Sequence, residues 1–348
     1  MGDYPDIADE NGRSILPPPL QRLLVQLAQA RALGRRHVTE SLVAGLCEAI
    51  AALPPQTVPQ AGREMPIRAQ LYVYDHSVDL TLLRSHPGLA CLFLFHGSGY
   101  VREAALRLMD TQVPAVFPVC AVAYRLNDWV SQVRTAAAGC FGRLVATMDA
   151  AVLGEAAAYL LAARRHWQRG PLEIAVIDDT TSRDDVRADL VARMISYAQG
   201  APQRILLAAA GESRLDPDLP RLMREARHPS VRALAALFLM RGEVRWPVGL
   251  ETRWIDKSMG VSRRTTRYAS RPLTITVSVD DTLAATVQDG SPQVRKVAMQ
   301  AVIDAPDLWR DREPLICRLS ADRSAVIRAG MDYIRRQQAK ETLDPAAS

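Results

Sequence analysis

The sequence predicts an all-α protein in which short helices stack in pairs along one axis, an α-solenoid. Three observations predict it. The chain is 48% apolar but only 5% aromatic, and the apolar residues are mostly Ala, Leu and Val, a helix-leaning mixture. One local pattern recurs, in which a turn residue is followed by Val-Arg and then by closely spaced Ala. Little strand-like alternation lies between its instances. With 348 residues, 23% of them charged, the chain can bury and solvate a sizeable core, and wholesale disorder is excluded.

The elements follow in order. Residues 1–18 are charged and reach into Pro17-Pro18-Pro19, which predicts a loose tail. From Leu20 to Leu33, Leu23, Leu24, Leu27 and Ala30 fall on one side and Gly34 stops the run, predicting a first helix. A second is expected from about Val38 to Leu53, ended by Pro54-Pro55. Residues 54–66 carry Pro and Gly and read as a linker. Leu71-Tyr72-Val73-Tyr74 reads as a short strand or an extended segment. Residues 19–79 are therefore expected to form a helical cap or accessory region. Residues 80–338 are expected to form the repeat array, and 339–348 a polar C-terminal tail after a last helix, Met331 to Gln338.

Within the array the pattern appears at Gly97 to Leu106, Asn127 to Ala137, His228 to Ala236 and Asp289 to Ala298, and more weakly at Arg183 to Ala188 and Asp322 to Ala329. Its arginines are Arg102, Arg134, Arg187, Arg232, Arg295 and Arg328, at intervals of 32, 53, 45, 63 and 33. Two intervals are one short repeat long, and 63 is close to twice that. The turn residue caps a helix, the Val begins its inward face, and the small residues let neighbouring helices approach. Two stretches break the rhythm. Residues 144–168 read as one long helix. Residues 241–279 read as an insertion, with Leu273 to Val279 alternating as a short strand or extended loop.

Asp128…Val133-Arg134…Ala136-Ala137, Ser230-Val231-Arg232…Ala235 and Asp289…Val294-Arg295…Ala298 together resemble the HEAT-repeat family, the HEAT and armadillo-like α-solenoids. The resemblance covers about residues 80–335. It implies a right-handed solenoid of stacked antiparallel helix pairs. In such repeats an Asp opens the inner helix and the Arg beneath it joins a polar ladder between layers. It thus assigns Arg102, Arg134, Arg187, Arg232, Arg295 and Arg328, with Asp128, Asp289 and Asp322, to structure. The three Asp each precede an Arg by six residues, whereas His96 and Ala226 hold that place before Arg102 and Arg232. Members of the family mostly serve as binding surfaces.

The net charge is +5 and the pI about 9.1, mild for this length and weak evidence for nucleic acid. The basic residues concentrate in one segment: Arg253, Lys257, Arg263, Arg264, Arg267 and Arg271, with Trp254 and Tyr268 among them. Cations bind phosphate and aromatic rings stack on bases. The same chemistry docks an acidic protein, and a solvated insertion is the plain alternative. The six histidines include no pair at metal-ligand spacing, so neither metal nor cofactor is expected. Asp178-Asp179 and Asp184-Asp185 read as caps leading into a helix. No phosphate loop, nucleophile elbow or marked cysteine nucleophile is found. The five cysteines form no close pairs, which argues for reduced, mostly buried thiols. No uncharged apolar run nears membrane length, so the chain is read as cytoplasmic. The expectation is a non-catalytic scaffold that binds another protein through its curved face and the insertion. A nucleic-acid binder using Arg263, Arg264 and Arg267 is the alternative. A glycosylase-like enzyme built on Asp128-Trp129 comes third.

Overall fold

A computed structural model describes residues 14–35, 37–72, 76–110, 115–164, 167–305 and 312–343. Among them are eighteen α-helices and one two-stranded antiparallel sheet. The chain divides into two compact units, Met1–Leu190 and Val191–Ser348.

The first unit contains α1 (Pro18–Ala32), α2 (Glu40–Ala51), α3 (Val58–Arg68), α4 (Ser77–Ser85), α5 (Ala90–Phe93), α6 (Gly99–Leu108), α7 (Val116–Tyr124), α8 (Ser131–Thr147), α9 (Ala150–Ala163) and α10 (Pro171–Thr181). Helix α11 (Asp184–Ser196) runs across the division. α6 packs on α8 and α8 on α10, while α7 packs on both α8 and α9. Each helix thus meets the one two places on, as layered helix pairs require. Val101, Val133 and Val186, each immediately before a motif arginine, are all fully buried.

One apolar core runs from Leu16 through Leu71 to Val186, so residues 19–71 share the core of the segments that follow and have none of their own. Four readings of this region need correction. Residues 1–13 lie outside the described residues, but 14–18 are not loose. Glu64 accepts hydrogen bonds from the Ser14 hydroxyl and the Ile15 amide, and Leu16 is buried. The expected linker is largely helical, a 3₁₀ turn at Pro55–Thr57 running into α3. Pro55 and Pro59 fall in first turns, where a missing N–H is tolerated, and Gly62 lies under the Phe95 ring. Leu71 and Tyr72 form a turn, while Val73 and Tyr74 are outside the described residues. The long helix over 144–168 is two, broken at the extended Met148 and Asp149.

The second unit contains α12 (Gln203–Ala209), α13 (Leu219–Glu225), α14 (Pro229–Arg241), β1 (Glu243–Asp256), β2 (Val261–Pro272), α15 (Val279–Val287), α16 (Pro292–Asp304), α17 (Glu313–Ser320) and α18 (Ala325–Leu343). α14 packs on α16 and α16 on α18. Val231, Val294 and Ile327 occupy equivalent, fully buried positions. The interval of 63 between Arg232 and Arg295 is therefore not two repeats. It is one repeat of 33 residues plus the 30-residue hairpin Glu243–Pro272. The last helix continues five residues into the expected tail.

The strands belong to the hairpin, upstream of Leu273 to Val279, where a short strand or an extended loop is expected. Residues 273–278 form no strand, and Ser278 caps α15 by accepting the Asp281 amide. Helix α14 ends at Gly242, whose φ of 64° is the left-handed turn glycine favours after a helix. The Leu273 amide donates to the Gly242 carbonyl at 2.9 Å, closing the base of the hairpin. Pro247 and Gly249 conceal β1 in the sequence. Both are tolerated because a two-stranded ribbon has only edge strands, and the register shifts near each of them, between Pro247 and Gly249.

Candidate functional site

The recurrent arginines and the basic insertion behave as two separate systems. In the first, the full arrangement gives a guanidinium two jobs. Nη1 donates to the carbonyls six and five residues upstream. These are His96 and Gly97 for Arg102, Asp128 and Trp129 for Arg134, and Ala226 and Arg227 for Arg232. Asp289 and Gly290 serve Arg295, and Asp322 and Arg323 serve Arg328. Nε and Nη2 then grip the carboxylate of the following layer. Arg102 holds Asp128 at 2.9 Å twice, Arg232 holds Asp289 at 2.7 and 3.0 Å, and Arg295 holds Asp322 at 2.6 and 3.0 Å. Each Asp also accepts the amide two residues on, from Val130, Ser291 or Ser324. Turn, helix start and neighbouring layer are thus tied by one bidentate, charge-assisted pair.

The departures are physical substitutions. His96 stands in the Asp position. Its Nδ1 accepts the Ser98 amide at 2.9 Å, so Nε2 carries the proton and donates to Asp79 at 3.0 Å. Arg31 grips the same Asp79 at 2.5 Å through Nε and Nη2. Arg134 meets a glutamate where an Asp was expected, with Nε 3.5 Å from Glu173. Arg187 bonds Asp184 within its own turn at 3.3 Å. Arg328, in the last helix, forms no ion pair with a carboxylate among the described residues. Burial pushes the Asp79, Asp128 and Asp289 carboxyls up, but hydrogen bonds outweigh it and hold all three below the usual carboxylate range: from His96 and Arg31 at Asp79, and from an arginine and a backbone amide at Asp128 and Asp289. The hydrogen bond from Arg295 does the same for Asp322. Arg31, Asp79 and His96 leave little trace in the chain's local pattern. A lone carboxylate inside the apolar run Val78-Asp79-Leu80 was the available signal.

The second system is the hairpin arm. It holds seven basic and three acidic residues, net +4 of the chain's +5. Arg253, Trp254, Lys257, Arg263, Arg264, Arg267 and Tyr268 are exposed along it. Arg271 differs from them. Its guanidinium pairs with Asp216 at 2.7 and 2.9 Å and donates to the Ala210, Gly211 and Glu212 carbonyls. It is the anchor of the arm, and its side chain is 17% exposed. Hydrogen bonds from Arg271 and Thr274 overcome burial and hold Asp216 low.

Cross-strand register sorts the remaining residues onto two faces, because directly opposed residues point the same way. One face carries Arg245, Leu250 and Trp254 of β1 with Arg264 and Tyr268 of β2. There the Arg245 guanidinium lies 4.5 Å from the Tyr268 ring centroid. Leu250 is 68% exposed and Trp254 51%. The other face carries Arg253 directly opposite Arg263, Glu251 opposite Thr265, and Gly249 opposite Arg267. Val244 and Arg271, opposed at the base, belong to this second face and touch the helices. At the tip Ile255 and Met259 are exposed, and Asp256 closes the turn by accepting the Ser258 and Met259 amides.

The other candidates are tied up elsewhere. Asp128 is held by Arg102, Arg125 and the Val130 amide, leaving no free carboxylate beside the exposed Trp129 for glycosylase-like chemistry. Asp178 and Asp179 lie in the last turn of α10, not before a helix, and Asp178 pairs with Arg164. Asp184 and Asp185 do open α11. Asp75 and His166 lie outside the described residues. Among those described, no group of three His, Cys, Asp or Glu side chains could hold a metal. Burial raises the Cys91, Cys120 and Cys140 thiols, Cys140 to about 11. No single helix among the described residues is long and apolar enough to cross a membrane. Comparison with protein-family models, curated proteins and solved structures gives no match.

Proposed function

We propose that this chain is a non-catalytic scaffold of HEAT-like repeats, a right-handed solenoid in type, whose β-arm binds a protein partner. Two things support the repeat reading: the recurrent arginine geometry, and the packing of α6 on α8, α8 on α10, α14 on α16 and α16 on α18. One observation carries the partner reading. The face bearing Leu250, Trp254 and Tyr268 is an apolar sheet surface left exposed among the described residues, bordered by Arg245 and Arg264. A two-stranded ribbon is marginal in water by itself, and Trp, Tyr and Arg are the residues enriched at interface centres. The occupant that fits is a protein presenting an apolar patch edged with carboxylates.

The test is a photo-crosslinking residue at position 250 of the full-length chain, irradiated in the cells that produce it. The expected result is one discrete protein adduct, lost with Trp254→Ala and absent when the crosslinker replaces Thr265 on the opposite face. An adduct that survives Trp254→Ala, or no adduct, overturns the reading. An adduct with a second copy of the chain also does so, making the face a self-association surface.

A further inference from the structure

We propose that the cationic face of the arm lies in the major groove of duplex DNA. The inference uses the face opposite the protein-docking surface and does not rest on that reading.

The first ground is charge. Arg253 and Arg263 are directly opposed across the two strands. Like charges in that position weaken a sheet pair. Arg267 lies four residues along β2 from Arg263 on the same face, about 13 Å at strand rise. No carboxylate among the described residues forms an ion pair with any of the three, whereas Arg102, Arg232, Arg271 and Arg295 each hold one. The two acids on this face are engaged. Glu251 accepts from the Thr265 hydroxyl at 3.4 Å, and Asp256 holds the tip turn. The arginines therefore form a cluster with no ion-paired counter-charge among the described residues, one suited to an external polyanion.

The second ground is shape. The arm is a ribbon two strands wide, and strands lie about 4.8 Å apart. The major groove of B-DNA, about 12 Å wide, admits such a ribbon, and the minor groove, about 6 Å wide, does not. Arg, Thr and Arg alternate at positions 263, 265 and 267 on the face that would meet the groove floor. These side chains suit its acceptor pattern: arginine pairs with guanine O6 and N7, and threonine contacts either base edges or a thymine methyl. Gly249, opposite Arg267, puts no Cβ beside that guanidinium and lets the backbone come close. The third ground is preorganisation. Arg271, bound to Asp216 and three carbonyls, and the Leu273–Gly242 hydrogen bond fix the base of the ribbon. Less ordering is then needed when it binds.

The experiment is fluorescence anisotropy of the full-length protein against a 20-base-pair DNA duplex over a range of salt. Duplex RNA of the same length and heparin serve as competitors, and circular dichroism verifies the fold of every variant. The expected result is binding that weakens steeply with salt, with the log–log slope flattening by about one for each phosphate-contacting arginine removed. Arg263→Ala with Arg267→Ala should weaken binding by about tenfold or more, while Arg264→Ala, a single charge removed from the other face, should cost about threefold or less. Duplex RNA should compete poorly, because its major groove is too deep and narrow for side chains to read. Absence of salt-dependent DNA binding overturns the proposal. So does an Arg264→Ala loss equal to that of the double variant. Equal competition by RNA or heparin overturns it too, since that marks general polyanion attraction.

Discussion

Asp128 shows how much one side chain carries. Its carboxylate is 1% exposed and receives two bonds from Arg102, one from Arg125 and one from the Val130 amide. Removing a single partner from such a cluster strands the others. Asp128→Ala leaves Arg102 and Arg125 buried without their counter-charge, and breaking a buried pair in this way costs about 3–5 kcal/mol. Denaturant unfolding should show that loss, and a smaller further loss when Arg102→Ala is added, because the two residues act as one unit. The pH dependence follows from the same contacts. Asp79, Asp128, Asp289 and Asp322 all titrate lower folded than unfolded. Folding is then favoured by their ionisation: the contribution is whole above the unfolded carboxylate pKa, about 3.9, and is lost as pH falls through the lower folded values. Thermal midpoints should be nearly level from pH 7 to 5 and fall below about pH 4. Asp128→Asn should flatten that fall. An equally steep decline in wild type and Asp128→Asn would show that other groups govern acid unfolding.

At the scale of the element, layers are joined by turns that must hold one conformation, and Gly170 is the clearest case. It precedes α10 with φ 65°. A Cβ there would lie 2.8 Å from both the Leu126 carbonyl oxygen and Arg134 Cδ. The carbonyl is backbone and cannot swing aside. Gly170→Ala therefore combines left-handed strain with a clash and should destabilise by about 1–3 kcal/mol. Gly200, also left-handed at φ 83° but with open space around it, should lose about 1 kcal/mol when changed to Ala. Equal losses at both sites would leave the close approach without energetic weight. These turns also explain what was readable in the chain. The Val-Arg motif was legible because an inward Val and a ladder Arg recur at fixed distance from the turn. The first two helices were legible from their 3.6 periodicity and Gly34. The hairpin was not, because with both faces exposed its strands lack the alternation that burial imposes, and Pro247 and Gly249 imitate a loop. Arg271 was grouped with the exposed cations because spacing along the chain cannot tell an arginine on a free strand from one at the anchored base. Its partner, Asp216, lies 55 residues away.

At the scale of the whole molecule, the charge is partitioned. The repeat arginines are largely neutralised by carboxylates of the following layer, and the arm carries nearly all the net charge. The helices should therefore stand without the arm. Val244 is the arm's one fully buried side chain and Arg271 its one anchoring ion pair, and the two are directly opposed in the register. Deleting residues 245–270 and joining Val244 to Arg271 through Asn-Gly keeps both, because an Asn-Gly turn closes a two-residue hairpin without strain. The shortened chain should keep its helical circular dichroism and lose no more than about 2–4 °C in thermal midpoint, the equivalent of about 1 kcal/mol for a unit of this size. It should also lose both the crosslinked adduct and salt-dependent DNA binding. Loss of cooperative unfolding would instead make the arm part of the folding core. Full retention of either interaction would move that contact onto the helices, and with it the assignment of the arm as the element that reaches the partner.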